Sequence, residues 1–152
     1  MSVGEVCNRN VVIVDRQSSI EEAARLMREH HVGDLVVVEK QDERTTPVGI
    51  LTDRDIVVAF DALRLKLDDF VVEDAMGSEL VTAFEDDDLL QTVELMRIKG
   101  VRRVPVVDRR CALVGILTAD DLIEVLAEML NNLSALITGQ GQRERKRRQY
   151  NA

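Results

Sequence analysis

With 152 residues, 45% hydrophobic and 32% charged, the chain has the composition of a globular protein made of one domain, or of two small ones sharing a core. Its net charge of −8 hides a split: positions 139–152 hold five Lys or Arg against one Glu, so the remainder carries −12 and repels nucleic acid and anionic membrane. Aromatics at 3% with no Trp weaken readings built on stacked nucleic-acid bases, and two isolated cysteines, Cys7 and Cys111, have no framework spacing and fit a reducing compartment.

Met1 to Glu5 has neither the basic start nor the apolar core of a signal peptide, and no apolar run is expected to approach the roughly 18 residues needed to span a bilayer. A cytoplasmic chain without a membrane span is expected.

In chain order, Val11 to Val14 reads as a short β-branched strand. A helix follows in which Ile20, Ala23, Ala24 and Met27 recur at helical spacing, opened by Ser19 with Glu22 in capping-box spacing and ending near His30-His31. Leu35 to Glu39 and Val48 to Leu51 are two further strands around a polar connection, and a second helix starts at Asp53.

The whole order then returns. Residues 3–38 align with 72–107 at an offset of 69, and Gly49-Ile50-Leu51-Thr52-Asp53-Arg54-Asp55 returns as Gly115-Ile116-Leu117-Thr118-Ala119-Asp120-Asp121 at an offset of 66. The three extra residues of the first copy fall between Glu39 and Thr46, where a longer surface loop is expected. In the second copy the strands are Leu80 to Phe84, Val104 to Val107 and Leu113 to Leu117. Its first helix is capped by Asp88 with Gln91 and ends at Lys99-Gly100, and its second starts at Ala119.

Past the second copy, Leu122, Leu126, Met129, Leu133 and Leu136 continue a stripe widened by Ile123, Leu130 and Ile137. Such a stripe packs either along its own domain or against a second chain. Gly139 and Gly141 are expected to break or weaken the helix before the basic run Arg143 to Arg148. The divisions are thus repeat one at 3–60, a connection at 61–71, repeat two at 72–125, a helical extension at 126–138 and a basic tail at 139–152.

The repeated Gly-hydrophobic-x-Thr-x-x-Asp, set in this order of strands and helices, resembles the CBS domain family, with the stand-alone tandem pairs (Bateman modules) of prokaryotes as the nearest type. The resemblance covers residues 3 to about 125. It implies an α/β (α+β) fold of two β-α-β-β-α repeats packed as a pseudo-twofold pair, with a C-terminal helix added. It also implies clefts that bind AMP, ADP, ATP or S-adenosylmethionine, a regulatory and non-catalytic role, homodimers and an effector protein as partner.

Carried over residue by residue, the resemblance assigns ribose recognition to Asp55 and Asp121 and phosphate contact to Thr52 and Thr118. It gives phosphate affinity to Arg102 and Arg103, whose planar forks suit that anion. Copy one has Gly33-Asp34 in place of the Arg pair. Its carboxylate would repel phosphate, which Arg54 could offset, so the two clefts are expected to be unequal. Adenine would be lined by aliphatic residues such as Val12, Val36, Leu80 and Val104.

Each of these motifs also has a plainer explanation. Thr-x-x-Asp is itself a helix-start signature. Glu85-Asp86-Asp87-Asp88 has the oxygens for a divalent cation but reads better as a turn whose last Asp caps a helix, and no metal site is expected. His30 and His31 are adjacent and share no helix face, so helix-end packing is expected of them. The basic tail is expected to be solubilising, without nucleic-acid binding. No nucleophile motif or phosphate-cradling loop points to an enzyme. A ligand-free scaffold that drives self-association is the alternative function.

Overall fold

The computed structural model describes residues 1–63 and 70–150, with side chains described for 1–61 and 70–139. Most of the expected connection at 61–71 and the side chains of the basic run therefore lie outside the described residues.

Two three-stranded sheets form residues 1–118. The first contains β1 (Ile13–Asp15), β2 (Asp34–Gln41) and β3 (Arg44–Thr52), with helix α2 (Ile20–His30) between β1 and β2 and α3 (Asp53–Leu63) following β3. The second contains β4 (Ala83–Phe84), β5 (Arg103–Val107) and β6 (Leu113–Thr118), with α5 (Leu89–Lys99) between β4 and β5. In each sheet the middle strand runs parallel to the first and antiparallel to the third. Two single-turn helices, α1 (Val3–Val6) and α4 (Val72–Ala75), open the repeats.

The helix boundaries follow from local chemistry. Ser19 Oγ accepts from Glu22 N, and Asp88 accepts from the N–H groups of Leu90 and Gln91, which satisfies donors that a helix start leaves unpaired. Both helices end in the left-handed conformation, at His31 (φ 53°) and Gly100 (φ 67°). The buried faces are those the spacing marks, with Ile20, Ala23 and Met27 in α2 and Leu89, Thr92 and Met96 in α5.

Two local features depart from the sequence expectation. The extra residues of copy one do not form a loop: Glu39 to Gln41 pair with Arg44 to Thr46 and lengthen the ladder, leaving a tight turn at Asp42 and Glu43, both at positive φ. The first strand of each copy starts later than Val11 or Leu80, and β4 is the shorter of the two. In copy one Val36 N donates to Val12 O, but the equivalent residue is Pro105, which has no N–H, so pairing begins only at Ala83 with Val106.

The N-terminal segments of the two repeats are exchanged. Val3 N and Gly4 N donate to Asp87 O and Glu85 O, and Asn8 exchanges two 2.9 Å hydrogen bonds with Ile116, so the start of copy one is built onto the sheet of copy two. Reciprocally, Val72 N and Glu73 N donate to Ser18 O and Arg16 O, and Val72 is fully buried in the core of copy one with Val14, Leu35, Val37 and Leu51. The opposite face of the first sheet joins the halves, through Val36 and Val38 packed with Ile116.

Residues 119–152 form a second compact unit, and its described part is the helix α6 (Ala119–Tyr150). It runs through Gly139 and Gly141, so of the two expectations for these glycines a break is not the outcome. A glycine costs a nucleated helix only about 1 kcal/mol, and the Gln, Arg, Glu and Lys around it are good helix formers. As one helix, Ala119–Gly139 is long and apolar enough (mean hydropathy 1.2) to cross a membrane by length and composition. The stretch does not read as an apolar run in the sequence because Glu124, Glu128 and Asn131-Asn132 divide it.

Candidate functional site

Thr52 is the last residue of β3, and its backbone and side chain start α3. Asp55 N donates to Thr52 Oγ1 at 3.1 Å, while Thr52 N donates to Asp55 Oδ2 at 2.8 Å. This is a complete capping box, so the helix-start reading of Thr-x-x-Asp holds in copy one. It orients the half-buried Asp55 carboxylate by one oxygen, and a ribose diol would have to be met by the other. Arg54 stands exposed beside it, its N–H donating to the Asp53 carboxylate. In copy two, Thr118 ends β6 and the half-buried Asp121 lies in the first turn of α6.

Register brings the copy-one carboxylate and the copy-two arginine together. Asp34 starts β2 opposite Thr52, and Arg103 starts β5 opposite Thr118. Asp34 and Arg103 are themselves equivalents at the offset of 69, and they form an ion pair, Nε to Oδ2, of 2.8 Å across the junction of the two copies. Equivalent residues that meet mark the pseudo-twofold axis. The Nε–H is not aimed at the oxygen, so the contact is an ion pair without a well-formed hydrogen bond at that nitrogen. The two threonine motifs thus lie at one end of the sheets with a neutralised pair between them.

Asp34, whose carboxylate would repel phosphate, pairs with Arg103. A phosphate group there must compete with this carboxylate, while the exposed Arg102 and Arg54 carry charge toward solvent. The adenine-lining set divides: Val12 and Leu80 are half-buried, whereas Val36 and Val104 are sealed in the sheets, at 1% and 0% exposure, and their surface is committed to packing. Sequence reading overlooked Asp34 as a partner. The only available sign was that the position equivalent to an arginine carries the opposite charge.

The acidic run is occupied by structural bonds. Asp88 caps α5, Asp87 accepts from Phe84 N, Asp86 pairs with Arg109, and Glu85 pairs with Arg9. At the other swapped segment Arg16 pairs with Glu73 and Glu39. The Arg16 guanidinium, by hydrogen bonding and by charge, holds the Glu73 carboxyl below its ordinary value of 4.5 against a smaller opposing effect of desolvation.

The family model for the CBS domain matches residues 3–62 and 72–128. An uncharacterized protein of Methanopyrus kandleri is 38% identical over 125 residues, 82% of this chain and 62% of that protein. A CBS domain-containing protein of Bacillus subtilis, YhcV, is 36% identical over 80% of this chain and 82% of its own length. This chain is also similar to larger proteins: an inosine-5'-monophosphate dehydrogenase of Methanocaldococcus jannaschii is 32% identical over 79% of this chain but 22% of that enzyme.

Among solved structures, the CBS domain pair of protein MJ0100, in complex with 5'-methylthioadenosine and S-adenosyl-L-methionine, superposes with a TM-score of 0.72 at 27% identity, covering 85% of this chain and 98% of that one. CBSX2 in complex with AMP gives 0.71 at 26% identity, covering 84% and 97%. Two matched repeats, their reciprocal packing and these likenesses agree: the chain belongs to the CBS domain family and carries two of its domains in tandem.

Proposed function

We propose that this chain is a regulatory, non-catalytic module that binds an adenine nucleotide or a related adenosyl ligand where the two repeats meet and passes that state to a partner protein. The observation that carries this reading is the convergence of the Thr52 and Thr118 strand ends on the Asp34–Arg103 pair at the pseudo-twofold axis. A ligand bound at that end touches both repeats. Its differential affinity for their two packings is the free energy that can be signalled. Adenosyl compounds are the class because the MJ0100 and CBSX2 pairs were crystallised with such ligands, and because Thr52 and Asp55 offer a hydroxyl and a carboxyl oxygen as hydrogen-bonding groups.

Titration calorimetry of the full chain with AMP, ADP, ATP and S-adenosylmethionine tests the proposal. Saturable binding of at least one, weakened ten-fold or more in Asp55→Ala or Asp121→Ala, is expected. Absence of both heat and thermal stabilisation with all four overturns it.

A further inference from the structure

Helix α6 displays an apolar face. Ile123, Leu126, Met129, Leu130, Leu133, Leu136 and Ile137 are each half or more exposed. A contiguous apolar stripe of this kind, on a helix of 32 residues or roughly 48 Å, marks an interaction surface. Leu126, Met129, Leu133 and Leu136 follow the 3-4-3 spacing of a helix-pairing seam.

Charge along the same helix is segregated. Asp120, Asp121, Glu124 and Glu128 occupy its first third, and Arg143, Arg145, Lys146, Arg147 and Arg148 its last turns, with Glu144 alone opposing them. Acid at the start and base at the end also suit the helix dipole, but that accounts for the charges only and leaves the stripe unexplained.

We infer that α6 pairs antiparallel with α6 of a second copy of this chain. Parallel pairing would set acid on acid at one end and five cations on five at the other. Antiparallel pairing sets the acidic start of each helix toward the basic end of the other, and such complementarity decides orientation. The seam then aligns Leu126 with Leu136 of the second copy and Met129 with Leu133, about a centre at Asn131. The regulatory reading is independent of this pairing, since it concerns residues before α6 and its first turn.

Light scattering on the full chain, with and without Leu126→Lys/Leu133→Lys, reads the association. The expected result is a dimer whose apparent mass halves in the double variant, with an unchanged circular-dichroism melting profile for the sheets. Orientation is read in a Cys111→Ser background, because Cys111 is exposed while Cys7 is buried. Mixing Leu126→Cys with Leu136→Cys should give a disulfide-linked heterodimer, while neither variant cross-links with itself. Self-linking of either variant, or a double variant that stays dimeric, overturns the inference. So does a monomeric wild type, and a monomer that floats with phosphatidylcholine/phosphatidylserine vesicles identifies α6 instead as a membrane-seeking helix.

Discussion

Gly49 and Gly115 open the repeated motif, and each is a point of close approach. A Cβ on Gly49 would lie 2.5 Å from Met76 Sδ, and one on Gly115 would lie 2.7 Å from Cys7 Sγ and 3.0 Å from the Asn8 carbonyl oxygen. The two contacts are equivalents, each made by the swapped segment of the other repeat. Met76 presents a flexible thioether that can move, whereas Asn8 is fixed by its paired bonds with Ile116. Gly115→Ala is therefore expected to destabilise more than Gly49→Ala, by about 1–3 kcal/mol against less than about 1.5. Urea unfolding midpoints check the order, and adding Cys7→Ala should recover part of the Gly115→Ala loss.

At the same scale, the Asp34–Arg103 pair controls the charge available to a ligand. The two side chains are 22% and 31% exposed, so the carboxylate neutralises an arginine shielded from most solvent. Asp34→Asn is expected to tighten binding of ATP more than of AMP, because each added phosphate gains most from an unmatched guanidinium. Calorimetry on the two proteins reads the ratio; an unchanged ATP-to-AMP preference would show that phosphate does not reach Arg103.

Among the elements, the single-turn α4 has little stability of its own and is held by Val72 in the copy-one core and by the Arg16–Glu73 pair. Since the Glu73 pKa is lowered on folding, the pair's contribution is complete above the ordinary value of 4.5 and fades as pH falls through the folded value. Arg16, whose pKa is raised, stays charged throughout. Acidification below about pH 4.5 should therefore loosen this segment, seen as faster exchange of the Val72 and Glu73 amides after correction for the intrinsic rate. Glu73→Gln should be less stable at neutral pH and show a shallower acid dependence. Equal acid slopes in the two proteins would refute the assignment.

For the whole molecule, each repeat contributes a sheet too small to enclose a core alone, and the exchange of N-terminal segments makes the two interdependent. Unfolding of residues 1–118 is accordingly expected as one transition, with truncation before Asn8 lowering the stability of the copy-two sheet that the segment covers. Coincident unfolding curves from probes in the two sheets would check this. The same interdependence is what allows a ligand touching both repeats to alter their packing.

The repeat, the order of its strands and longer helices, and the starts of α2, α3 and α5 were legible in the residues. Ser19, Asp88 and the Thr52/Asp55 box act within three positions along the chain, and buried faces recur at helical spacing, so local chemistry states them directly. Tertiary structure alone decided that Val3 belongs with the other repeat's sheet, that the motif glycines make room for Cys7 and Met76, and that Asp34 holds Arg103. These contacts join residues 27 to 108 positions apart around a pseudo-twofold axis. An alignment of two copies shows which residues are equivalent, but the packing of the sheets determines which of them meet.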